Sequence, residues 1–213
     1  MAEGLRERKK RQTRQHLSDV ATGLFLERGF DAVTIAEIAR AADVSVNTVY
    51  NYFPTKEDLF LDRSRSIVDR LSRYVRGRDK GESAADAVLR ELRVQVEGVS
   101  PVVGLIEGYA HFARVVEGAD GLKARLWHVQ QEALLHLETT LQEESGAGAD
   151  DPAPVLVAGQ LSWVQSTLMG YIGREMVAGR RAAEVSRDAL VLLDEIEDLL
   201  GEKVLNYARR AAE

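Results

Sequence analysis

The chain has 213 residues, 45% of them hydrophobic and 29% charged, with a formal net charge of −6 and no cysteine. Such a composition supports a packed core and excludes a disordered chain; the missing cysteines exclude disulfides, Cys-based zinc sites and thiolate nucleophiles, and fit a reducing cytoplasm. No apolar run reaches the roughly 18 residues of a membrane span, and the charged N-terminus is followed by no apolar stretch, so neither a span nor a signal peptide is expected.

In chain order, the first 14 residues carry six basic side chains against two acidic. Up to residue 56 the balance is nine against seven, and beyond it 19 against 27. A basic head on an acidic body suits a polyanionic partner. Leu17, Val20, Ala21, Leu24 and Phe25 recur at helical spacing, which predicts an amphipathic helix ended by Gly29. Thr34 opens a second helix through the capping box Thr34-x-x-Glu37, with Ile35, Ile38 and Ala39 facing inward. Ser45 caps a short third helix, and Thr55-x-x-Asp58 opens a fourth. Periodicity then predicts helices near 55–76, 83–97, 102–117, 120–144, 153–178 and 182–211, separated by clusters of Gly, Pro and acids. The expected fold is all-α, about nine helices without a sheet, with a boundary near residue 54.

Two short helices joined by the turn Asp43–Val44 make a helix-turn-helix, whose second helix is built to enter the DNA major groove. At about 100° per residue, Val46, Val49 and Phe53 fall on one side, toward the first two helices. Asn47, Thr48 and Asn51 fall on the other, with Tyr50 at the flank, where its hydroxyl reaches toward a phosphate. An asparagine can bond an adenine edge through two groups at once, and two asparagines in one short helix weaken it, so they call for a reason beyond stability. Lys56 stands at the first position of the fourth helix, where a cation opposes the helix dipole unless an anion is bound there.

The segment Gly29–Phe60, GFDAVTIAEIARAADVSVNTVYNYFPTKEDLF, resembles the DNA-binding segment of the TetR family of bacterial transcriptional regulators. Gly29-Phe30, Thr34 with Ile35, Ile38-Ala39, Val44-Ser45, Thr48, Tyr50, Tyr52-Phe53, Lys56 and Leu59 carry the resemblance, in order and at matching spacing. It implies a DNA-binding domain with a basic arm over residues 1–54 and a ligand-binding and dimerisation domain over 55–213. It further implies phosphate contacts from Thr34, Tyr50 and Lys56, and positions at or near base edges for Ser45, Val46, Asn47 and Asn51. The arm ending at Arg11 and Arg14 would reach a neighbouring minor groove. Asp43, Asn47 and Val49 depart from the family's common pattern, which leaves the operator sequence open.

In the last helices, Gly159, Ser162, Ser166, Gly170 and Gly173 form a small-residue stripe, and Leu192, Ile196, Leu199 and Leu200 belong to an apolar one. Together they are the expected dimer interface, which the resemblance makes a four-helix one. Tyr109, Phe112, Trp127, His128, Gln131, Trp163, Ser166 and Met169 are the candidate lining of a small-molecule pocket. His128, Glu132 and His136 recur every four residues and offer a metal reading, but no Glu-x-x-His motif accompanies them. No Gly-rich phosphate loop and no nucleophile–base motif is present, so no enzyme and no cofactor are expected.

The expectation is therefore a cytoplasmic, ligand-responsive repressor that binds a palindromic double-stranded DNA operator as a homodimer and is released by a small molecule. The alternatives are a helical-bundle metalloprotein using the His128/Glu132/His136 face, and a DNA-binding regulator controlled by a protein partner.

Overall fold

The computed structural model describes residues 4–62 and 65–212. Its helices are α1 Leu5–Arg28, α2 Ile35–Ala41, α3 Val46–Tyr52, α4 Lys56–Phe60, α5 Arg65–Val68, α6 Arg70–Arg76, α7 Ala84–Glu97, α8 Tyr109–Glu117, α9 Asp120–Ser145, α10 Ala153–Val177, α11 Ala182–Asp198 and α12 Glu202–Leu205. A 3₁₀ turn spans Pro101–Val103, and no strand occurs among the described residues.

Four boundaries differ from those expected. The basic arm is helical: α1 begins at Leu5, because Arg, Lys, Glu and Gln are strong helix formers and Glu7 stands one turn before Arg11. The helix expected over 55–76 is three pieces. α4 stops at Leu61, whose N–H closes on the Glu57 carbonyl, and Asp69 leaves helical geometry between α5 and α6. The helix expected from 102 starts only at Tyr109, because Gly104 and Gly108 take positive φ, 89° and 83°. The last long helix ends at Asp198; Gly201 adopts extended geometry and starts the one-turn α12.

Contacts divide the chain into two units. One holds the residues up to Arg65 together with Arg114–Trp127; the other holds Ser66–Ala113 and the residues from His128 onward.

In the first unit α1 packs on α2 and α4, and α2 on α3. Leu17, Ala21 and Phe25 lie one turn apart on α1 and are fully buried, with Ile38, Val49, Phe53 and Leu59. Phe25 meets the Phe30 and Phe60 rings at 4.9 and 5.7 Å between centroids. Each such side chain contributes about 1.5–3 kcal/mol on burial, so aromatic packing holds the short helices that could not stand alone. Arg114–Trp127 joins this unit partly through Arg125, whose Nε donates to Asp58 Oδ1 at 3.0 Å. Gly121 permits the approach, since a β-carbon there would lie 2.8 Å from Glu57 Oε1.

In the second unit α7 packs on α6 and α11, and α10 on α11. Its core holds Leu92 and Val96 of α7, Leu137 and Leu141 of α9, Leu161, Leu168 and Ile172 of α10, and Leu193 of α11. Ser186 Oγ donates to the Val96 carbonyl at 2.7 Å, fixing α11 on α7. Ile196 and Leu200, expected at a dimer interface, are in this core instead, 2% and 8% exposed. The face of α11 that carries Ile196 also carries Val185, Ala189 and Leu193, and it meets the chain's own helices; Leu200 follows just past the helix end. Leu199 points out at 75% exposure, and Leu192 is half-buried.

Candidate nucleic-acid interface

The α2–α3 turn depends on Asp43, which takes the left-handed φ of 54° that an aspartate tolerates better than most residues. Ser45 Oγ then accepts from the Thr48 N–H at 3.0 Å and shares a 2.8 Å hydrogen bond with the Thr48 hydroxyl, so α3 is capped by its own first residues. At the other end of α2, Thr34 Oγ1 accepts from the Glu37 N–H, while the Glu37 carboxylate accepts from the Thr34 N–H at 2.9 Å and from Arg28 at 2.8 Å. The Thr34 N–H, then Arg28 and the Thr34 hydroxyl, hold the Glu37 carboxyl down to about 2.

Val49 and Phe53 seat α3, both fully buried. Val46 does not, being 41% exposed. It occupies the first position of α3, before the helix meets α2, and joins Asn47, Tyr50 and Asn51 on the outward face. That face offers two carboxamides at i, i+4, a phenol and one apolar contact, the groups that read base edges and thymine methyls. An open groove of about 860 Å³ runs between it and the helical arm. Arg6, Lys9 and Lys10, with Glu7 among them, line one wall, and Thr48, Asn51 and Tyr52 the other. The charge run signalled the arm; only its helicity brings these three cations opposite α3.

Two of the expected DNA contacts already have partners inside the unit. Arg14 Nε and Nη2 reach Asp62 Oδ1 at 2.8 and 2.6 Å, Nη1 donates to the Tyr52 carbonyl at 2.7 Å, and the guanidinium lies 4.2 Å from the Phe53 ring centroid. Lys56 Nζ donates to the carbonyls of Phe30 at 3.0 Å and Val33 at 3.1 Å, and sits 4.3 Å from the Phe30 ring centroid. The ammonium at the start of α4 is therefore accounted for without DNA: it satisfies the α1–α2 loop. Arg14 and Lys56 bracket the α3–α4 joint, one at each side.

The expected pocket lining is not assembled. Trp127, His128, Gln131, Trp163 and Ser166 are exposed, while Tyr109, Phe112 and Met169 are half-buried. On α10 the buried face is Val157, Leu161, Val164, Leu168 and Ile172, and Trp163 and Ser166 lie on the other side of the helix. Of the small-residue stripe, Gly159 is exposed, Ser162 and Gly170 are half-buried, and Gly173 is covered by Tyr109: a β-carbon there would lie 2.8 Å from the Tyr109 hydroxyl oxygen. Among the described residues no three metal-ligating side chains converge, His128, Glu132 and His136 included.

Comparison with known proteins places this geometry. Residues 17–62 match the family model described as bacterial regulatory proteins, tetR family. The HTH-type transcriptional regulator TcmR of Streptomyces glaucescens is 30% identical over 158 residues, 70% of this chain and 67% of that protein. The HTH-type transcriptional regulator AcrR of Shigella flexneri is 35% identical over 88 residues, 40% of each chain. The fold is that of NalD, the secondary repressor of the MexAB-OprM multidrug efflux pump in Pseudomonas aeruginosa, with a TM-score of 0.59 at 22% identity over 90% of this chain and 98% of that one. The chain belongs to the tetR family of bacterial regulatory proteins and is a DNA-binding, helix-turn-helix transcriptional regulator.

Proposed function

We propose that this regulator is a cytoplasmic repressor that binds a palindromic operator as a homodimer and leaves it when a small molecule enters the second unit. The observation that carries the DNA side is the outward face of α3, Val46, Asn47, Tyr50 and Asn51, beside a groove walled by Arg6, Lys9 and Lys10. One such helix spans only a few base pairs, so selectivity calls for two heads on half-sites about one helical turn, or a multiple, apart. A dimer seated over a promoter excludes polymerase by occupancy, which favours repression.

The dimer rests on α10. Leu156, Trp163 and Val177 are 60%, 49% and 50% exposed and fall on one heptad line, with the small residues Gly159, Ser166 and Gly170 between them. An apolar stripe of that spacing, with small residues that admit a close neighbour, is the pattern of a packed helix pair. No helix of the described residues is long and apolar enough to cross a membrane.

Fluorescence anisotropy with DNA from the chain's own upstream region tests the proposal. The expected result is salt-sensitive binding of two chains to a two-fold site, reversed by a small molecule. Binding of a single chain, or equal affinity for scrambled DNA, would overturn the operator reading. If operator release needs a second protein and no small molecule, the protein-partner reading takes its place.

A further inference from the structure

The second unit contains two buried arginines, and they are treated differently. Arg78, 3% exposed, donates to the Val75 carbonyl at 2.7 Å, to Glu144 at 2.5 Å and to the Ala208 carbonyl at 2.9 Å. Arg70, 6% exposed, makes one long bond, 3.3 Å from Nη1 to the Val102 carbonyl, and has no carboxylate partner among the described residues. The adjacent acid, Asp69, turns outward to Arg73 at 3.2 Å. A guanidinium carries five donors, and removing a cation from water without pairing it is costly. Burial lowers the pKa of Arg70, the direction expected of a cation that lacks an anion.

The surroundings of Arg70 are equally unfinished. Tyr74, one turn along α6, and Tyr109 are half-buried, with burial raising both phenols, and neither hydroxyl has a hydrogen-bond partner among the described residues. Tyr109 packs over Gly104, Ile172 and Gly173. Arg70 and Tyr109 thus approach the same short stretch, Arg70 at the Val102 carbonyl and Tyr109 at Gly104. Phe112 extends the aromatic surface, 6.3 Å from Tyr109 between centroids, and Met169 lies one helical turn from Gly173 on α10.

We propose that the effector of this regulator is an organic carboxylate with an apolar body, its carboxylate paired with Arg70 and its body against Tyr109 and Phe112. This rests on the small-molecule reading above and adds the chemical class. A carboxylate accepts two parallel hydrogen bonds from the guanidinium and supplies the missing anion, and the phenol hydroxyls are further donors.

The test uses the full-length protein and matched probes that differ only in charge: benzoate and benzamide, octanoate and octanamide. Thermal shift gives the binding, on the wild type, Arg70→Met and Arg70→Lys. The expected result is stabilisation by an acid and not by its amide, weakened about ten- to hundredfold in Arg70→Met and partly kept in Arg70→Lys. Without probe, Arg70→Met is expected to melt no lower than the wild type, since it removes an unpaired buried charge. If amides stabilise as well as acids in the wild type, small-molecule binding stands and the carboxylate assignment falls. If no probe shifts any of the three proteins and Arg70→Met melts lower, Arg70 is a structural residue and the proposal is overturned. If no probe shifts any variant and Arg70→Met is unchanged, the carboxylate proposal also falls, and the small-molecule reading loses its support.

Discussion

Arg14→Ala separates a residue that holds the reading helix from one that holds DNA. Arg14 makes a charge-assisted pair with Asp62, a bond to the last carbonyl of α3 at Tyr52, and a ring contact with Phe53. A charge-assisted pair of this kind is worth about 1.5–3 kcal/mol, and the carbonyl bond and ring contact about 0.5–1 kcal/mol each. With Arg14 24% and Asp62 11% exposed, solvent screens the pair only partly. The three contacts share one side chain and do not add fully, so about 2–3 kcal/mol is the expected loss. Native-state hydrogen exchange of the α3 amides measures it locally; protection should fall about 30- to 150-fold, at tenfold per 1.4 kcal/mol. Operator affinity should fall as well, but the slope of log affinity against log salt should stay as it is, because no phosphate contact is lost. Lys10→Ala, at the open groove, should do the reverse: unchanged protection and a slope reduced by about 0.9. Unchanged α3 protection in Arg14→Ala, together with a flatter salt slope, would refute the positioning role and return Arg14 to the DNA.

Three further outcomes follow from geometry. The carboxyl of Glu37 lies at about 2 against an ordinary 4.5, so its stabilisation is full above about pH 4.5 and is lost as the pH falls toward 2. In urea melts at pH 5 and pH 3, the wild type should therefore lose more stability than Glu37→Gln; equal losses would remove the capping role. Asn51→Ala should relax base preference at one operator position by about 1–3 kcal/mol, read by binding to single-base operator variants; uniform weakening across all variants would place Asn51 on the backbone. Leu156→Glu combined with Trp163→Glu should yield a monomer in sedimentation with unchanged helical circular dichroism, since both side chains are exposed; a persistent dimer would move the interface off α10.

The head was legible in sequence because its determinants are local. Thr34 with Glu37, Ser45 with Thr48 and Thr55 with Asp58 are neighbours three residues apart; Thr34 and Glu37 form the full reciprocal box, while Ser45 and Thr55 each accept the one backbone N–H three residues on. The positions of Val49 and Phe53 followed from helical period alone. The roles of Arg14 and Lys56 were hidden because their partners are remote, Asp62 lying 48 residues from Arg14 and Phe30 26 from Lys56. Helicity of the arm was hidden for a different reason: residues 5–14 have almost no apolar period, and propensity alone makes the helix. In the second unit, period marks the apolar faces of α10 and α11 but not which partner each face meets, so Ile196 lies in the chain's own core and not at a dimer interface, while Leu156 stays exposed. Arg70 gave no signal at all, since an arginine among many becomes unusual only when burial removes its solvent.

The unit that contains the helix-turn-helix is made from two separated stretches of chain, the second being Arg114–Trp127. The Asp58 carboxylate accepts from the nearby Thr55 hydroxyl but takes its ion-pair partner, Arg125, from the second stretch, and Glu57 lies where Gly121 has no side chain. Cutting and joining this chain near residue 65 therefore parts Asp58 and Glu57 from the residues they meet. A chimera keeping this N-terminal segment on another protein's helices would cost Asp58 its ion pair and, with a larger residue at position 121, bring a clash. Transplants that carry residues 114–127 along with the first 65 preserve these contacts, and they are the junctions to use in building hybrid regulators.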